Sequence, residues 1–150
     1  MGKTRSSGPG GQHRNKVETK VILTHEPTGI SAQAGERRSA VENQQVAMFR
    51  LRLELAKEVR CPVPPGDCRS DLWKSRCRGA RIACNPEHAD YPAMLAEALD
   101  VVHGAGLDMH KAAVRLGCSA TQLLKLVKDC PHALERLNRR REARGMHALK

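Results

Sequence analysis

The sequence predicts an α+β fold: a small β-hairpin or sheet packed on one long helix, followed by a mostly helical C-terminal region. Three observations predict it. Apolar and polar residues alternate with a period of two over 17–24 and again over 30–34. A stretch of helical spacing then follows a serine cap, and beyond residue 90 apolar residues recur at three- and four-residue spacing between glycine breaks. At 150 residues the chain holds one ordinary domain, or a small domain with a helical appendage.

The elements follow in order. Residues 1–9 are small, polar and basic, and Ser6-Ser7-Gly8-Pro9-Gly10-Gly11 reads as an irregular loop. From Val17 to Thr24, Val17, Thr19, Val21 and Leu23 share one face of a predicted strand. His25-Glu26-Pro27-Thr28-Gly29 turns the chain, and Ile30, Ala32 and Ala34 line one side of the returning strand. Ser39-Ala40-Val41-Glu42 has the form of a capping box. A helix is therefore expected from about 40 to 60, with Val41, Met48, Leu51, Leu55 and Val59 as the stripe facing the hairpin.

Cys61-Pro62-Val63-Pro64-Pro65-Gly66 ends that helix, since proline supplies no amide and its predecessor avoids helical geometry. We divide the chain into a domain over 1–60, a basic connector over 61–90 and a helical basic region over 91–150. In that region 91–103, 110–116 and 121–129 read as helices, with Asp108 as a cap. Ala112-Ala113, Leu116-Gly117, Ser119 and Leu123 are spaced as in a helix-turn-helix pair, a spacing that plain helical packing also produces. Arg136, Arg139, Arg140, Arg141, Arg144 and Lys150 make the end of the chain basic. There is no internal repeat.

Charge narrows the partners. Twenty-six Lys and Arg against 16 Asp and Glu give a net +10, suited to a polyanion such as nucleic acid or the ribosome. The three aromatic residues, Phe49, Trp73 and Tyr91, do not make a base-stacking platform, so phosphate contacts are the expected mode. No apolar run approaches a membrane span and the polar start lacks a signal peptide, so a cytoplasmic location is expected. The gaps between Cys61, Cys68, Cys77, Cys84, Cys118 and Cys130 are wider than paired zinc ligands use. We read them as reduced thiols, with no metal and no cofactor. The rival is a zinc site built from the first four with His88.

The chemistry points to Gly10-Gly11-Gln12. Ester hydrolysis needs a placed water and a donor where charge develops on oxygen. Adjacent glycines let a backbone amide approach a substrate more closely than any larger residue allows. Gln12 offers an uncharged donor and acceptor, too weak a base to deprotonate water itself. Arg14 and Lys16 follow at phosphate-binding distance along the chain, and Arg37 and Arg38 stand just before a helix start, where cations oppose the helix dipole. His13 can be read as a general base or as an RNA contact, and we favour the contact. Asn15 and Asn43 read as residues that fix local backbone.

Arg5-Ser6-Ser7-Gly8-Pro9-Gly10-Gly11-Gln12-His13-Arg14-Asn15-Lys16-Val17, then His25, Pro27-Thr28-Gly29-Ile30, Arg38-Ser39 and Asn43, closely resemble the catalytic domain of class I peptide chain release factors. The resemblance implies that Gly10, Gly11 and Gln12 enter the peptidyl transferase centre of the large ribosomal subunit and act on peptidyl-tRNA. The backbone amide of Gln12 would stabilise the transition state while its side chain positions water. Gln12 would also be the target of a glutamine methyltransferase. Arg5, His13, Arg14, Lys16, Arg37 and Arg38 would contact ribosomal RNA.

No segment resembles the stop-codon readers of that family. The plan is closest to codon-independent ribosome-rescue hydrolases, with Arg139, Arg140 and Arg141 in a tail for the messenger RNA channel. Three departures stand out. Residues 82–135 form a larger helical block than a plain tail, Ala40 replaces a glutamine common after Arg-Ser, and the strand before the loop is expected to be almost wholly missing. That last departure motivates an alternative, a non-catalytic ribosome- or RNA-binding protein. A DNA-binding regulator would leave the loop without a role.

Overall fold

The computed structural model describes residues 2–4 and 18–150. The fold is α+β, and the chain divides into two compact units, residues 1–55 and 56–150.

In the first unit a three-stranded antiparallel sheet has the order β1-β2-β3, with β1 at Gly2–Thr4, β2 at Lys20–His25 and β3 at Ile30–Ala34. The strand expected to be almost wholly missing is present as three residues, pairing Gly2 with Ile22, Lys3 with Val21 and Thr4 with Lys20. Gly-Lys-Thr is too short and too polar to show a period of two, so only the partner strand identifies it. β2 is thereby flanked on both sides, and its Val21 and Leu23, with Thr19 just ahead of it, are buried as the alternation predicts. The hairpin closes where the Thr28 and Gly29 amides both donate to His25 O, with Gly29 at φ 72°. That φ favours glycine.

α1 spans Ala40–Glu58, and Ser39 Oγ accepts the Glu42 amide at 3.4 Å, the serine half of the capping box. Its buried face differs from the expected stripe. Val41 and Met48 are exposed, 66% and 45%, whereas Asn43, Ala47 and Leu51 are buried at four-residue spacing. Ala47 and Leu51 join Val21, Leu23 and Ala34 in one cluster, with Ile30, Ala32, Val46 and Leu55 around it. The hairpin offers alanines on this face, so a small residue on the helix meets them, and hydrophobicity alone points to the wrong side.

The second unit holds α2 (Asp71–Arg76), the short hairpin β4–β5 (Cys77–Arg78 and Arg81–Ile82), α3 (Tyr91–Gly104), α4 (Met109–Leu116), α5 (Ala120–Lys128) and α6 (Pro131–Glu142). Three of these helices, α2, α4 and α5, have local side-chain caps. Ser70 Oγ accepts from the Trp73 amide, Asp108 from Lys111 and Ser119 from Gln122. α4 ends in Gly117 at φ 66°, with the Cys118 amide returning to Ala113 O, so the tight turn expected between α4 and α5 is a left-handed helix stop. Leu107 also lies at φ 66° and is buried. Its amide donates to Val102 O, and its carbonyl accepts from the Arg141 guanidinium.

Trp73 and Tyr91 tie the helices together. The Trp73 indole donates to Leu116 O at 2.9 Å, and the Tyr91 hydroxyl donates to Leu126 O at 2.8 Å. Burial pushes the Tyr91 hydroxyl well above its ordinary pKa, so it stays a donor. Of the cations at 69–81, Arg69 and Lys74 pair with Asp67, and Arg76 pairs with Asp90. Among the described residues no helix is long and apolar enough to cross a membrane.

Candidate functional site

Arg5, Gly10, Gly11, Gln12, His13, Arg14 and Lys16 lie outside the described residues, as does Asn15. What is described is the frame they spring from. In sequence, residues 5–17 lie between β1 and β2, and the last rung of that pair joins Thr4 to Lys20. Two adjacent, hydrogen-bonded strands therefore hold the ends of that segment.

Asn43 fixes the return. Its side chain is fully buried, and Nδ2 donates to Thr19 O at 2.6 Å and to Arg37 O at 3.0 Å. Its Oδ1 accepts the Arg37 amide at 2.9 Å. One amide thus ties β2's entry to the turn that carries Arg37 and Arg38, both exposed ahead of α1. Among the described residues these two are the predicted site residues that the structure brings beside the stem. Asn43→Ala leaves a buried carbonyl without its donor. We expect it to lower stability by about 2 kcal/mol, measured by urea unfolding.

The same turn is braced by Glu36. Its carboxylate accepts the Gly35 amide at 2.7 Å and the guanidinium of Arg50, which also donates to Gln33 O at 2.8 Å. The Arg50 hydrogen bond, followed by the Gly35 amide, lowers the Glu36 pKa to about 2. A depressed folded pKa means a contribution fully present above the unfolded value near 4.5 and lost as pH falls through about 2. Both side chains are about half exposed, so it amounts to at most about 1 kcal/mol. A carboxyl-detected NMR titration should show the low midpoint, and Arg50→Ala should return it toward the ordinary value. The sequence carried no sign of this pair, because seventeen residues separate Arg50 from Gln33 and fourteen from Glu36.

Arg139, Arg140 and Arg141 lie on α6 in the second unit. Arg139 pairs with Glu135 one turn earlier, and Arg140 is exposed. Arg141 has structural bonds: its Nε donates to His147 O at 2.9 Å, and its guanidinium reaches Leu107 O. Asn138 exchanges two further hydrogen bonds with Leu149, so 143–150 folds back along α6.

None of the six cysteines is paired, and among the described residues no three His, Cys, Asp or Glu side chains come together as metal ligands. Burial raises the thiol pKa of Cys77, Cys84 and Cys118, the last to about 11, the reverse of an activated nucleophile.

Residues 1–64 match the family model described as the RF-1 domain. Over those residues the chain is similar to that domain. Similar proteins carry release-factor names. Peptide chain release factor 1 of Malacoplasma penetrans (strain HF-2) is 51% identical over 51 residues, 34% of this chain and 14% of that protein. The chloroplastic peptide chain release factor PrfB1 of Arabidopsis thaliana is 48% identical over 52 residues, 35% of this chain and 11% of that protein. Peptide chain release factor 1 of Acidiphilium cryptum (strain JF-5) is 45% identical over 62 residues, 41% and 18%. The chain thus spans less than a fifth of the length of these relatives. No solved structure matches it. The RF-1 match includes Gly10-Gly11-Gln12 and the stem, Asn43 and Arg37-Arg38 frame, and it ends ahead of α2.

Proposed function

We propose that this chain hydrolyses the ester bond of peptidyl-tRNA on the ribosome without reading a codon, as a rescue factor for stalled ribosomes. The observation that carries the reading is the RF-1 domain over 1–64 with Gly10-Gly11-Gln12 inside it. In this reading 1–60 is the catalytic domain, 61–90 a basic connector and 91–150 the helical basic region that docks on RNA.

The chemistry is positional. The glycines let the backbone reach the ester in the peptidyl transferase centre, the Gln12 amide donates to the oxygen on which charge develops, and the Gln12 side chain orders the attacking water. Arg5, His13, Arg14, Lys16, Arg37 and Arg38 hold large-subunit RNA phosphates around the loop, and the net +10 speeds the encounter. Arg139 and Arg140 extend the contact toward the messenger RNA channel. Arg141 supports them through its bonds to His147 and Leu107. Gln12 is the residue a glutamine methyltransferase would modify. The proposed site of action is the cytoplasm.

The test is single-turnover release of a labelled peptide from purified ribosomes whose decoding site carries no codon. Release at a rate independent of any stop codon supports the reading. Ribosome binding without release overturns it.

A further inference from the structure

The α4–α5 pair expected from the spacing at 112–123 is present, and the proposed function leaves the outward face of α5 without a role. α5 turns Leu123, Leu126 and Val127 inward, where it packs on α3, α4 and α6. Thr121, Lys125 and Lys128 recur at four- and three-residue spacing and are exposed along the other side, over about 10 Å of helix.

The β4–β5 hairpin is fastened to the start of this helix. The Ser119 amide donates to Ala80 O at 3.1 Å, and the Ile82 amide donates to Gln122 Oε1 at 3.2 Å. The two-residue turn Gly79-Ala80 is thereby held at the first turn of α5. Arg78 and Arg81 flank it, both exposed.

These two arginines are direct cross-strand partners. Side chains so placed share one face of the hairpin with Cβ atoms about 5 Å apart, and like charges there destabilise a strand pair. Arg78 Nη1 turns back to the carbonyls of Ser75 and Cys77. Among the described residues Arg69, Lys74 and Arg76 have carboxylate partners, whereas Arg78 and Arg81 do not. On α5, Lys125 lies 3.5 Å from Asp129, and Lys128 has no ion pair among the described residues. A hairpin that served only to turn the chain would gain from neutral or opposite charges at that rung. A polyanion laid across it removes the repulsion, and the lysines of α5 continue the positive strip.

The strip also selects among polyanions. Trp73 and Tyr91, the aromatic residues of this unit, are buried, so unpaired bases find nothing to stack on. A double helix instead presents its phosphates in fixed rows.

We propose that the hairpin and the outward face of α5 together bind the backbone of double-helical RNA. Arg78 and Arg81 take phosphates of one strand, and Lys125 and Lys128 take phosphates across the shallow minor groove. The major groove of an RNA duplex is too narrow to be read by side chains, so α5 lies across the duplex rather than inside it. Thr121, in the first turn beside Gln122, has an exposed hydroxyl that suits a ribose 2′-hydroxyl. The choice of RNA over DNA rests on the ribosomal reading above, and it gives that docking a place in the helical region.

The experiment titrates the full chain by fluorescence anisotropy, at several salt concentrations, against a labelled RNA duplex of about 16 base pairs. The DNA duplex of the same sequence and single-stranded oligouridylate are the comparisons. Duplex RNA should bind about tenfold more tightly than oligouridylate. Arg81→Glu turns the rung into a pair of opposite charges, so duplex binding should weaken by about tenfold while the thermal midpoint holds or rises. Lys128→Gln should lower the slope of log K on log salt by about one. Thr121→Val should cut the preference for RNA over DNA by about threefold with an unchanged circular dichroism spectrum. Unchanged duplex affinity in Arg81→Glu, or DNA or oligouridylate bound as tightly as duplex RNA, overturns the proposal. The isolated duplex carries no ester, so a failure here is separate from a failure of peptide release, which the ribosome assay reads.

Discussion

Gln12→Ala should slow single-turnover peptide release about 10²- to 10³-fold while leaving ribosome affinity within about twofold. The substitution keeps the backbone amide at position 12 and removes only the side chain, so the loss measures how much the carboxamide contributes by placing water. Gly11→Ala attacks the other half. A Cβ beside that amide limits both its conformational range and its approach to the ester, and release should fall by a similar factor. The affinity control separates chemistry from docking, because an interaction made only in the transition state lowers rate without weakening the ground state. Normal release by both variants would take the loop out of the reaction.

Trp73→Ala should destabilise the second unit by about 3 to 5 kcal/mol. The side chain is fully buried, and its indole is the donor to Leu116 O at the end of α4. Alanine therefore leaves both a large void and an unpaired carbonyl. For a unit of this size the loss corresponds to a fall in melting temperature of more than about 10 °C, measured by circular dichroism. Trp73→Phe fills most of the space but still omits the hydrogen bond, so it should cost about 1 to 2 kcal/mol. Trp73 is the one tryptophan of the chain, so its fluorescence in the native protein reports on this unit directly.

Much of this fold was legible where local signals agree. The period of two over Thr19, Val21 and Leu23, the turn at Gly29, the caps at Ser39 and Asp108 and the stop at Gly117 each rest on a residue whose own chemistry requires the structure it adopts. What escaped depended on partners distant in sequence. β1 is recognised only through its pairing with β2, and the buried face of α1 follows from the alanines opposite it, so Val41 and Met48 read as core and are not. In the site, Gly10-Gly11-Gln12 stood out because backbone freedom is written in residue type. Asn43 was legible as a residue that holds backbone, but not that it spans from Arg37 to Thr19.

The rung between Thr4 and Lys20 also acts as a ruler. Counting along the chain, Gln12 stands eight residues from each of these anchors, at the midpoint of the tether. Eight residues extend to at most about 28 Å. Gln12 is therefore the position farthest along the chain from both anchors, and any insertion on one side of it would pass that distinction to a neighbour. An insertion within the paired residues would instead move the anchors themselves.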